Sequence, residues 1–407
     1  MMQLPTGSRT ATLFEQAVVS ATGFLSMLFF ARHLTTVDWA TFSFAASLLL
    51  LAQGLQLSIV ILPMISFSKG SAPCTESQAN WAWMNRSVLA TMIATSAVAA
   101  LAVKLSSDSW MGNSLLFAAL LMPPAFTYEY LRRRLILARR FDVLQRAGLA
   151  YAVGVGFGVL LHSVVELPPV FAALTFWPGM ALAFAVSGGR EPLRWAAPTG
   201  DWLLPLRSFA PSAVGSSLAF AGYNLAIQAM LGILSGPAAV ALFNATRMLI
   251  QPINTLIGAF NNLDLPGGAK AYAESGRALL AHQKRSVLRL VGLGGVYLAL
   301  LCTFAGPVLS ALFSGRYDNP AMVWGWAVVG LLMLVVTPTE NIFYVTRRTG
   351  RLFANRLAAA VSGCAAALIL IGPWAAVGAV LSIATGWVVA LGGGVLAVWR
   401  LHKQAER

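Results

Sequence analysis

The residues best equipped to bind a charged ligand lie between Ala238 and Leu263, AAVALFNATRMLIQPINTLIGAFNNL, where Arg247 stands near the middle of an otherwise apolar run. Turned at 100° per residue, Asn244, Arg247, Gln251, Asn254, Gly258 and Asn261 recur at spacings of 3, 4, 3, 4 and 3 and share one face. The chemistry on offer is recognition: a planar cation with five donors, flanked by amides that both donate and accept. A guanidinium at the centre of a bilayer costs about 2.5–3.5 kcal/mol on insertion scales, so this face is expected to line a wet cavity or meet a partner.

Three further apolar stretches carry polar faces. Thr12, Glu15, Thr22 and Ser26 share one; Gln53 and Gln56 are about a turn apart; Asn224 and Gln228 follow Ser212 and Ser216. Glu15 lies about one turn inside its span, where it could carry a coupling proton or pair with Arg9 or Arg247. Gln53, Gln56 and Asn224 could line the same cavity, or bond neighbouring helices at roughly 0.6 kcal/mol each. Glu129, Asp264 and Glu340 stand at span ends and are expected to pair with Arg132 to Arg134 or with Arg347 and Arg348.

Other chemistries lack their residues. No GxxxxGK[ST] run offers a phosphate loop for ATP drive. Cys74, Cys302 and Cys364 are far apart, with no CxxC and no nearby His, so they read as buried small residues and neither a disulfide framework nor a metal site is expected. Gly154, Gly156 and Gly158 follow no strand, and close helix packing accounts for them, as for Gly232 with Gly236. The connection from Gly306 to Pro320 lacks the acidic residues of an external catalytic site. The expectation is a non-enzyme without a cofactor.

The elements that hold these residues are membrane helices. The 407 residues are 58% hydrophobic and 10% charged, against the 45–50% apolar content usual for soluble domains. Mean hydropathy is +0.73. Twelve apolar runs fit, at about 20 residues per crossing: Thr12 to Ala31, Ala40 to Leu62, Ser87 to Leu105, Asn113 to Leu131, Ala147 to His162, Pro169 to Ser187, Phe209 to Leu231, Ala238 to Leu263, Val287 to Ala305, Ala321 to Thr346, Leu357 to Ile371 and Ala375 to Trp399. The first shows no cleavage signature and reads as a retained anchor.

Charge supports the count. Of the 28 Lys and Arg, 24 fall on the side that holds both termini, Arg32, Lys104 and Arg316 on the other, and Arg247 within a span. The positive-inside rule then makes both termini cytoplasmic, and the net charge of +14 reports orientation rather than a nucleic-acid partner. The basic stretch Leu131 to Arg146 is expected to lie as a short interfacial helix. Leu34 to Pro63 and Leu234 to Pro266 form a faint repeat about 200 residues apart. The chain thus reads as an all-α integral membrane protein: a six-helix bundle over residues 1–187, a linker over 188–208 and a second six-helix bundle over 209–407, pseudo-symmetric about a central cavity.

At the residue level ARHLTTVDWATFSFAASLLLLAQGLQ, RRRLILARRFDVL, PSAVGSSLAFAGYNLAIQAMLGILSGPAAVALFNATRML and TGRLFANR resemble segments of the polysaccharide-unit flippases in the multidrug/oligosaccharidyl-lipid/polysaccharide exporter superfamily. The resemblance implies a bacterial inner-membrane protein that moves an undecaprenyl-diphosphate-linked oligosaccharide, of the O-antigen or exopolysaccharide type, by alternating access, with membrane lipids and other polysaccharide assembly proteins as partners. Arg247 would then meet the diphosphate, and Asn244, Gln251, Asn254, Asn224, Gln228 and Gln53 the sugar hydroxyls, with Glu15 as the ion-coupling residue. A drug/cation antiporter of the same superfamily and a non-transporting subunit of a synthesis complex are the alternatives.

Overall fold

The structure, a computed structural model, describes residues 6–67, 75–106, 110–165, 168–188, 204–346 and 348–405. Within them every regular element is helical: α1 (Thr6–His33), α2 (Thr36–Gln56), α3 (Leu62–Phe67), α4 (Thr75–Ser106), α5 (Trp110–Leu137), α6 (Phe141–Val165), α7 (Phe171–Leu174), α8 (Phe176–Val186), α9 (Leu204–Arg247), α10 (Gln251–Glu274), α11 (Gly276–Thr303), α12 (Ala305–Phe313), α13 (Pro320–Val345) and α14 (Thr349–Ala405). Eight stretches of the described residues are long and apolar enough to cross a membrane. Two of these, Val214–Asn261 and Thr349–Lys403, hold 48 and 55 residues, more than twice the roughly 20 that a bilayer needs. Each is broken by a left-handed residue, Gly236 at φ 79° in α9 and Ala375 at φ 44° in α14. Dividing them, and adding α5 and the α7–α8 pair, accounts for the twelve crossings read from the sequence.

The chain forms two compact units, Met1–Ser217 and Leu218–Arg407. Most of the linker read over 188–208 lies outside the described residues. In the first unit α2 and α4 pack on α5, and α6 packs on α1 and α8; in the second α10 and α11 pack on α13, which packs on α14. The second and third crossings thus pack on the fourth in both units, the arrangement that the faint repeat implies. The second unit's core gathers Ile253, Ile257, Leu290, Leu298 and Leu334. Apolar side chains such as Val164, Ile233 and Ile369 remain more than two-thirds exposed, as a lipid-facing surface requires.

Glycines set the closest approach in the first unit. A Cβ on Gly154 would come within 2.6 Å of the Gly179 backbone, and one on Gly158 within 2.5 Å of the Thr175 carbonyl, so α6 and α8 meet backbone to backbone. Gly156 faces open space and does not share that role, and Gly236 serves the break in α9 rather than packing.

Four local readings change. The basic stretch Leu131 to Arg146 forms no separate interfacial helix: α5 continues to Leu137, Arg139 turns the chain at φ 55°, and α6 begins at Phe141. The connection from Gly306 to Pro320 is largely the short helix α12. Cys302 and Cys364 are half-buried free thiols, and Cys74 lies outside the described residues. The eighth crossing is not one helix. After Arg247 a single 3₁₀ turn, Met248–Ile250, separates α9 from α10. Pro252 explains it, because a proline ring cannot tolerate the carbonyl four residues back, and it occupies the first turn of the new helix instead. Between α2 and α3 the wide turn Leu57–Ile61 likewise precedes a proline, Pro63.

Candidate functional site: a buried arginine at a helix break

Arg247 is the last residue of α9, where outward-pointing carbonyls make a cation favourable. Its guanidinium lies over the Trp326 ring, 5.9 Å from the centroid, and Tyr223 is the titratable neighbour that acts on it. Trp326 is itself fixed: its indole N–H donates to Thr246 Oγ1 at 3.2 Å, and Phe243 meets it edge-on at 5.0 Å. The break is stitched by Tyr297, whose hydroxyl donates to the Leu249 carbonyl at 2.6 Å. No carboxylate of the described residues forms an ion pair with Arg247. A half-buried cation therefore sits on an aromatic plane with its charge uncompensated.

The stripe drawn around it survives in part. Asn244 is buried at 6% exposure, so the polar face opens only from Arg247 onward. Gln251 is exposed and accepts from Asn254 Nδ2 at 3.4 Å; Gly258 borders open space. Asn261 accepts from Asn341 at 3.0 Å and so belongs to a helix contact. Ile253 and Ile257, on the other side of α10, enter the core. Asn224 donates to the Phe220 carbonyl at 2.9 Å and Gln228 to the Asn224 carbonyl at 3.4 Å, both along α9 itself. Gln53 is half-buried on α2 of the first unit.

Glu15 is fully buried, and its partner differs from both candidates that the sequence supplies. Arg9's side chain lies outside the described residues; the structure pairs Glu15 with Arg132, whose Nε donates to Oε2 at 2.8 Å, while Tyr128 donates to Oε1 at 2.8 Å. Arg132 also binds Gln16 Oε1 and, at 3.3 Å, Glu129, which pairs with Arg133 at 2.6 Å as expected. Gly148 permits this, since a Cβ there would meet Glu15 Cγ at 2.9 Å.

Two polar ties occupy corresponding places; the first is the helix-bonding alternative read for Gln56, and the second is not expected from the sequence. In the first unit Gln56, on the second crossing, donates to Asn85 Oδ1 on the third at 2.7 Å and to the Phe126 carbonyl on the fourth at 2.9 Å. In the second unit Asp264 is bonded by His282 (2.9 Å) and Ser286 from α11 and by Asn341 (2.9 Å) from α13. Asp264 is thus no surface partner of an arginine, and Glu340 pairs with Arg356, at 2.9 Å, on α14. The signal was present for Gln56, one of two amides with Gln53 in an apolar run; nothing in the sequence joins residues 77 apart such as Asn341 and Asp264.

No family model and no curated protein matches the chain. Solved structures do. The lipid II flippase MurJ in an inward closed conformation aligns with a TM-score of 0.73 at 9% identity, over 97% of this chain and 87% of its own. An inward-facing multidrug resistance MATE family transporter of the MOP superfamily aligns at 0.70 and 14% identity, over 95% of both chains. A MOP superfamily transporter from Pyrococcus furiosus, described as having a binding pocket of reverse polarity, aligns at 0.61 and 15% identity over 97% of this chain and 94% of its own. The fold of the chain is the fold of these transporters.

Proposed function

We propose that the protein, sharing the fold of lipid flippases and multidrug exporters, moves a lipid-diphosphate-linked oligosaccharide across a bacterial inner membrane by alternating access, with both termini cytoplasmic. One observation supports the lipid-linked substrate above others: Arg247, a half-buried guanidinium with no carboxylate partner among the described residues, at the edge of an amide-bearing face. An anion entering a low-dielectric site needs a fixed counter-charge, and a diphosphate matches the planar fork in two-pronged fashion. Gln251 and Asn254 would serve the sugar hydroxyls. Asn224 is assigned the same role, and Glu15 that of ion coupling; Asn244 and Gln228, at 6% and 0% exposure, lie off the open face.

A drug/cation antiporter is the second reading, and Asp264 favours it: a carboxylate 5% exposed whose hydrogen-bond partners among the described residues are an imidazole, a hydroxyl and an amide rather than Arg or Lys. Reconstituted vesicles separate the two. The flippase reading expects lipid-linked glycan added to one leaflet to become accessible to a glycosidase on the other only when the protein is present. Failure of that assay, together with gradient-driven uptake of a cationic dye, would establish the antiporter instead.

A further inference from the structure

The break at Ala375 folds α14 back so that its two ends become neighbours: Asn355 Nδ2 donates to the Ala390 carbonyl at 3.0 Å, and its Oδ1 lies where a Cβ on Gly393 would come within 1.9 Å. Between these ends and the end of α13 lies a cavity of about 310 Å³, at the lower limit of the roughly 300–1,000 Å³ of small-ligand sites. Its floor is apolar, with Phe343 and Leu401 buried; its polar lining is Arg348, Arg351, Arg400, Asn355 and Thr346, with no acidic side chain among the described residues. Glu340, the carboxylate adjoining in sequence, is held by Arg356. Three arginines thus line one pocket at the end of two apolar spans, Pro320–Val345 and Thr349–Lys403.

We infer that this cavity binds the headgroup of an anionic phospholipid. Its position at span ends is the depth of the lipid phosphate, and arginines binding phosphate do so bidentately. Trp399, half exposed with Lys403 Nζ 4.1 Å from its ring, marks the same level, as aromatic and basic residues do at membrane interfaces. The acyl chains run down the exposed apolar side of α14, where Val395 and Leu396 are 56% and 44% exposed. The site rests on residues apart from Arg247 and is independent of the substrate assigned above.

The test uses the full-length protein purified in detergent, with phosphatidylglycerol, phosphatidylcholine or inorganic phosphate added at matched ionic strength. Phosphatidylglycerol is expected to raise the melting temperature and remain as an adduct in native mass spectrometry, whereas phosphatidylcholine does neither. At roughly a factor of five per lost surface cation, Arg351→Gln with Arg400→Gln weakens phosphatidylglycerol binding about thirtyfold. Arg140→Gln with Arg146→Gln, the same charge loss elsewhere, leaves it unchanged. Should the double variant not fold, Arg400→Gln alone, on an exposed last turn, is expected to weaken it about fivefold. Unchanged binding in a folded pocket variant, equal loss in the control, or an equal response to inorganic phosphate overturns the proposal.

Discussion

At the scale of single residues, two buried arginines solve the same problem in opposite ways. Arg132 is neutralised by Glu15 and Glu129, whereas Arg247 rests on Trp326 with no carboxylate partner among the described residues. The first arrangement ties α1 to α5, and its structural weight is separable from the coupling role assigned to Glu15. Arg132→Gln leaves Glu15 buried without its cation, and breaking such a pair costs about 3–5 kcal/mol. Glu15→Gln is expected to cost less, since Arg132 keeps Glu129, and the double substitution should recover part of the loss in a detergent melting series. A stable Glu15→Gln protein that flips without any dependence on a proton gradient would instead assign that carboxyl to coupling. Arg247 predicts the reverse separation of stability and activity: Arg247→Ala should insert and melt normally yet export lipid-linked glycan about 10- to 100-fold more slowly, the loss of hydrogen bonds to a charged group. Arg247→Lys, a point charge without the fork, should retain part of the rate. A melting temperature that collapses in Arg247→Ala would make this residue structural too. Arg247 and Glu15 stand out in the sequence as charges inside a span, but their partners do not, because Glu15 and Arg132 are 117 positions apart and only the fold brings them together.

At the scale of elements, the sequence exposes where helices run better than how they break. Apolar length and the alternation of positive charge yield the twelve crossings, the last two already divided between Ile371 and Ala375. Pro252 escaped notice since the apolar run continues through it, and hydropathy does not register a turn tightened from α to 3₁₀. The glycines were read as one packing stripe, and the structure divides them. Gly158→Ala should therefore lower the melting temperature, at the 1–3 kcal/mol typical of overpacking, while Gly156→Ala should leave it unchanged. Equal effects from the two would contradict the close contact of α6 with Thr175. Gly236→Ala forces a Cβ into the left-handed region and should cost about 1–2 kcal/mol.

At the scale of the whole molecule, the 24-to-3 division of Lys and Arg makes a topological prediction. Reporter fusions after Lys104 and Arg316 should report the periplasm, and one after Arg140, in the turn between α5 and α6, the cytoplasm. Reversal at any two positions would break the twelve-crossing order. The contact of α6 with α8 has a consequence of a different kind. Two helices that touch through their backbones have no layer of side chains between them to shear, so mechanically they form one stiff strut. Compliance must then reside where hydrogen bonding is interrupted, at Gly236, at the turn after Arg247 and at Ala375. These three joints lie in the second unit and the wide turn at Leu57–Ile61 is their counterpart in the first, so bending of the chain is expected at those joints rather than along α6 and α8.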